Sequence, residues 1–293
     1  MRALKEQAVL LGPRRSLVGI VAEGAAPAGD RPTVVILNSG VVHRVGANRM
    51  SVPLARALAA AGHVVVRFDL SGLGDSDPRP DGLAPLEASL ADVREVLDTL
   101  ESTRGTSRVI LAGLCSGADL SLLCSASDPR VVGAALLDPS LPRTLRHRAY
   151  HYCNRVLHKE SWINLVRGKN PLWRTLLSRA ISEPAPRQKT IQDRDVREYL
   201  ESTYRQALDH GVRFLAVLTG ERSYYREQLL DAFPGVSFGD RLRLEHFPTS
   251  DHMFTAHADH TRVIHLIVDW AGQVIFPAGD STRPLQPSLR VSS

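Results

Sequence analysis

Cysteine is scarce in this chain: three residues in 293, at Cys115, Cys124 and Cys153. Their number is odd and no Cys-x-x-Cys spacing occurs, which argues against a disulfide framework and against a zinc site. Aromatic residues make up 5% of the sequence. No apolar run approaches the length of a membrane span, and the charged start Met1-Arg-Ala-Leu-Lys-Glu6 lacks the apolar core of a signal peptide. The expected compartment is the cytoplasm. Lysine is nearly missing, present only at Lys5, Lys159, Lys169 and Lys189, so arginine carries the formal net charge of +5. That charge is concentrated: residues 139–212 hold 14 Lys+Arg against 7 Asp+Glu. No Arg/Lys run among them has the form of a nucleic-acid-binding arm, so no nucleic acid partner is expected. No metal or other cofactor is expected either.

An apolar content of 43% is ample for a core, and the length fits one large α/β domain carrying an insertion. Two short apolar stretches, 7–11 and 17–22, flank a Gly-Pro turn and predict an antiparallel hairpin. Then β-branched runs at 33–37, 63–68, 109–112 and 131–137 alternate with helical spacing at 52–61 and 86–100. Such alternation specifies a mostly parallel sheet with helices on both faces. Residues 139–212 show helical spacing at 148–167 and 194–208 and no strand, which predicts a helical cap inserted over the sheet. The sheet pattern resumes at 213–218, followed by a helix around 225–233, a strand at 241–247 and a last helix at about 258–271. The core is therefore assigned to 1–138 and 213–276, the cap to 139–212, and a loosely ordered tail to 277–293.

The chain is organised around Gly113-Leu114-Cys115-Ser116-Gly117, where an aliphatic strand passes into helix-forming residues. A strand that turns this sharply into a helix needs glycine on both sides of a central, strained and exposed residue. The central residue is Cys115, a thiol at the positive end of the following helix, where thiolate is favoured. A thiolate nucleophile needs a base that takes and returns a proton. His252 lies directly after the last strand, at the carboxyl edge of the sheet where open α/β folds bind ligands.

With Cys115, His252 and this strand order, the chain resembles the α/β-hydrolase superfamily over about residues 7–271. The stretches 38–49, 67–76 and 113–119 and the Asp-His-x-Phe at 251–254 are similar to bacterial serine-aminopeptidase-like and exosortase-associated hydrolases. Cysteine departs from the usual elbow serine, as in dienelactone hydrolases and some carrier-bound thioesterases. The resemblance implies an oxyanion hole built from the backbone N–H groups of Ser116 and Val41. His43 and Arg44 follow closely in the same loop, where they can line the pocket or stand solvated. It also implies an acid that orients His252, and here the sequence departs from the pattern: Gly220-Glu221-Arg222-Ser223 has serine at the expected aspartate. Glu221, Asp138 at the end of the preceding strand, or neither, a Cys–His dyad, remain open. A dyad is tolerable for a thiol, which ionises near roughly 8.5.

Three functions fit these residues. One is a hydrolase of an ester, lactone or thioester that works through an acyl-cysteine on a small-molecule acyl substrate. A second is an acyltransferase or cyclase, in which the basic segment meets an acyl carrier protein or a CoA thioester. The third is a non-catalytic binder on the same scaffold.

Overall fold

The protein is described from a computed structural model, which covers residues 4–24, 31–142, 144, 193–221 and 224–274. Strands buried on both faces read as unbroken apolar runs, and each expected run forms one. The eight strands are β1 (Lys5–Leu11), β2 (Leu17–Glu23), β3 (Thr33–Ile36), β4 (Val65–Phe68), β5 (Val109–Leu114), β6 (Val131–Leu137), β7 (Arg213–Thr219) and β8 (Leu242–Phe247). They form a single sheet in the order β1-β2-β4-β3-β5-β6-β7-β8. The β1–β2 and β2–β4 pairs are antiparallel and the other five are parallel. The hairpin thus closes one edge of a six-stranded parallel sheet.

Successive side chains leave opposite faces of a strand, and this divides the core in two. Ile110 and Ala112 of β5 and Leu215 and Val217 of β7 pack with helices α1 (Ser51–Ala60) and α6 (His257–Gln273). On the other face, Val109 and Leu111 meet α2 (Pro85–Arg104) and α3 (Ser116–Ser127). Helix α2 buries Val93, Val96, Leu97 and Leu100, the i, i+3, i+4, i+7 stripe of an amphipathic helix. Each such side chain contributes about 1.5–3 kcal/mol by leaving water.

Helix α4 (Asp193–Asp209) falls within the range expected to be cap, yet it packs on the sheet. Its Tyr204, Ala207 and Leu208 join Ala118 and Leu122 of α3 and Phe214 of β7 in a third cluster. It is the crossover between β6 and β7, so the core reaches back at least to residue 193. The rest of the expected cap, including the 148–167 helix, and the tail 277–293 lie outside the described residues. The helix expected over 225–233 is shorter, α5 (Gln228–Ala232). Phe233 leaves helical geometry at φ −127°, ψ 64°, as the residue before a proline is pushed to do. The parallel strands share one direction, so the segments after β3, β5, β6 and β8 emerge at one edge. Those segments begin with Leu37, Cys115, Asp138 and Pro248.

Candidate active site

At the elbow the backbone geometry meets the sequence requirement atom by atom. A Cβ on Gly113 would lie 2.2 Å from the carbonyl carbon of Gly117, and one on Gly117 would lie 2.5 Å from the Asn38 carbonyl oxygen. Neither position tolerates a side chain. Between them Cys115 is held at φ 57°, ψ −121°, a conformation that L-residues seldom adopt and that marks functional positions. Its side chain is half-buried, and its N–H donates to the Leu137 carbonyl at 2.9 Å. That bond ties the elbow to the residue just before Asp138.

Asp138 is fully buried at φ 45°. Its Oδ1 accepts the Thr219 N–H at 2.7 Å, and its Oδ2 accepts the Thr219 hydroxyl. The same Oδ2 lies 2.8 Å from Nδ1 of His252. A carboxylate only accepts, so Nδ1 carries the proton and Nε2 of the neutral ring is left as the basic nitrogen. The Glu221 carboxylate goes elsewhere: it accepts the backbone N–H of His252. Of the alternatives the sequence left open, Asp138 meets the imidazole and Glu221 does not. Glu221 fixes the main chain of the histidine loop and Asp138 fixes the ring. The loop is tied further by Asp251, which accepts the N–H of Met253 at 2.8 Å, and by Asn48, whose Nδ2 donates to the Met253 carbonyl at 3.1 Å. The hydroxyl of Thr219 was not singled out from the sequence, because only a position at the end of β7, facing β6, makes it a partner of Asp138.

The loop after β3 folds into a turn in which the Val42 N–H donates to the Ser39 carbonyl at 3.0 Å, with Gly40 at φ 54°. A positive φ at the second residue of a turn is what glycine permits. The Val41 side chain points into solvent, 86% exposed, and Ser116 opens α3. The first N–H groups of a helix have no acceptor within it. His43 and Arg44 border a small pocket with Asn38, Met50 and Leu114. His43 is exposed, and Arg44 is held by two carboxylates. Its guanidinium donates to Asp75 at 2.6 Å and to the fully buried Asp69. Burial works against the Arg44 charge, yet these two carboxylates hold its pKa above the ordinary value. Arg44 thus borders the pocket as expected, with its guanidinium held in ion pairs to Asp69 and Asp75.

Residues 30–215 match the model of the serine aminopeptidase family, S33, well over half of the chain. The chain belongs to this family. No curated protein matches it. Among solved structures, this S33-family chain is similar to the Pyrococcus furiosus esterase Pf2001, at 13% identity and TM-score 0.55, covering 94% of this chain and 92% of that one. It is also similar to proline iminopeptidase of Mycobacterium smegmatis, at 14% identity and TM-score 0.57, over 92% and 99%. A third is the thioesterase domain from the curacin biosynthetic pathway, at 15% identity and TM-score 0.51, over 92% and 99%. At these identities the likeness establishes the α/β-hydrolase fold. Among the described residues of this S33-family chain, no group of side chains is arranged to hold a metal ion, and no helix is long and apolar enough to cross a membrane.

The thiols differ in environment. Cys124 is 4% exposed in α3, and burial, with Asp128 adding to it, pushes its thiol up to about 12. Cys115 is half-buried at a helix N-terminus, and Cys153 lies outside the described residues. Iodoacetamide at pH 8 should therefore label Cys115 faster than Cys124 by roughly 100-fold or more. Peptide mapping that finds Cys124 modified first would contradict the assignment of Cys115 as the accessible thiol.

Proposed function

We propose that this S33-family chain is a hydrolase of an ester, lactone or thioester that works through an acyl-cysteine intermediate. The observation that carries the reading is the 2.8 Å hydrogen bond between Asp138 and Nδ1 of His252, with Asp138 directly after β6, the neighbour of the strand β5 that leads into Cys115. It leaves Nε2 as the base. In the acylation step the Cys115 sulfur bonds to the substrate acyl carbon while Nε2 of His252 takes the thiol proton. The C–O or C–S bond to the leaving group then breaks, and the leaving group takes that proton. In the second step water attacks the acyl-thioester, gives a proton to Nε2, and the sulfur departs and is reprotonated. Backbone N–H groups of Val41 and Ser116 are the donors for the oxyanion in both steps. The fold shared with an esterase and a thioesterase domain supports acyl chemistry of this kind.

The elbow cysteine itself favours a second reading. Thioesters yield to amines, thiols and carbanions more readily, relative to water, than oxygen esters do. An acyl acceptor, with an acyl carrier protein or CoA as donor, is the corresponding partner proposal. Intact-mass spectrometry after brief exposure to p-nitrophenyl acetate or acetyl-CoA tests both. The expected result is a mass gain of one acetyl group that is absent in Cys115→Ala. Decay of the adduct in buffer alone indicates hydrolysis, and decay only on adding an amine or thiol indicates transfer. No adduct with a panel of acyl donors of varied length would overturn both and leave a non-catalytic binder.

A further inference from the structure

The exposed hydroxyl of Ser116 has a task that the turn-to-helix geometry does not require of it. It accepts the N–H of Gly40 at 2.7 Å, a bond between the first residue of α3 and the tip of the loop after β3. Gly40 and Val41 are the central residues of the Ser39–Val42 turn, so this bond fixes the Ser39–Gly40 peptide, which immediately precedes the one that carries the Val41 N–H. The Ser116 N–H is the other expected oxyanion donor, and a single residue therefore spans both halves. From the opposite side, Asp69 accepts the Arg44 N–H at 2.6 Å, and Asn38 donates to the Val42 carbonyl at 2.9 Å. The base of the loop is held by a buried carboxylate and its tip by one hydroxyl. A Cβ built on Gly40 would meet nothing within 4 Å beyond its chain neighbours, so the tip is open on that side.

We propose that Ser116 is a positioning residue, whose hydroxyl sets the separation of the Val41 and Ser116 N–H groups that receive the oxyanion. The proposal rests on the acyl-cysteine reading above. Two donors 2.7–3.1 Å from the developing oxygen stabilise the tetrahedral state only if both are in place when it forms, and a displacement of about 1 Å costs up to roughly 100-fold. The ground-state carbonyl makes weaker use of the same groups. Loss of the clamp should therefore appear in kcat and not in KM.

The test compares wild type, Ser116→Ala and Ser116→Thr. Ser116→Ala should fold normally, since an exposed side chain is removed, and melting curves check this. Its kcat for p-nitrophenyl acetate should fall roughly 10- to 100-fold with KM within about 2-fold, and Ser116→Thr, which keeps the hydroxyl, should restore most of the rate. A second measurement needs no activity: amide exchange at Gly40 should accelerate in Ser116→Ala and return toward wild type in Ser116→Thr. Unchanged exchange at Gly40, or unchanged kcat, would overturn the positioning role while leaving an acylated wild-type Cys115 intact. A wild type that is never acylated would instead overturn the enzymatic reading, and the positioning role with it.

Discussion

Cys115→Ala should abolish covalent acylation and lower turnover by about 10⁵–10⁶, the scale on which a nucleophile that acts jointly with its base is lost. His252→Ala should lower the acylation rate by about 10²–10⁴, the range for a positioned general base. The double variant should be no slower than Cys115→Ala alone, because a base without its nucleophile has no proton to take. Folding should survive both changes. Cys115 is half-buried and His252 lies in a loop held by Glu221, Asp251 and Asn48 through other atoms. Stopped-flow release of p-nitrophenol, with intact mass as a check, distinguishes the steps. Effects of the two single variants that multiplied in the double variant would mean that Cys115 and His252 do not serve one proton transfer.

The sheet could be read from the chain because parallel strands buried on both faces must be apolar throughout. Val109–Leu114 and Val131–Leu137 have no polar side chain to mislead the eye. The elbow was equally legible: Gly113 and Gly117 are positions where any Cβ would strike backbone. Helix α4 was harder. Its charged outer face dominates the composition of 193–209, while the few residues that dock it, Tyr204 foremost, count for little in a sum. The ion pairing of Arg44 could not be read from the chain, because its buried partner, Asp69, stands 25 residues away on another loop. The acid was the least legible feature. Which carboxylate meets an imidazole depends on how the backbone turns at Asp138, at φ 45°, and on the register that brings Thr219 beside it. Neither leaves a mark in residue spacing.

Asp138→Asn should lower kcat by about 10³–10⁴, whereas Glu221→Gln should change it by less than about 3-fold. The reason lies in the two oxygens of Asp138. Oδ1 receives the Thr219 N–H at 2.7 Å, a group that can only donate. An asparagine at 138 must keep its carbonyl oxygen there, which puts its amino group where Oδ2 now faces Nδ1 of His252. The Thr219 hydroxyl can rotate to accept from that amino group, but the imidazole can respond only by presenting an unprotonated Nδ1. Its proton then moves to Nε2, the nitrogen required to accept from Cys115, and the base is lost although the ring has scarcely moved. Glutamine at 221 still offers an oxygen to the His252 N–H, so the loop keeps its shape. Aspartate and asparagine are nearly equal in volume, and circular dichroism with thermal melting separates misfolding from a tautomer change. A steep loss in Glu221→Gln together with a near-normal Asp138→Asn would reverse the assignment of the two carboxylates.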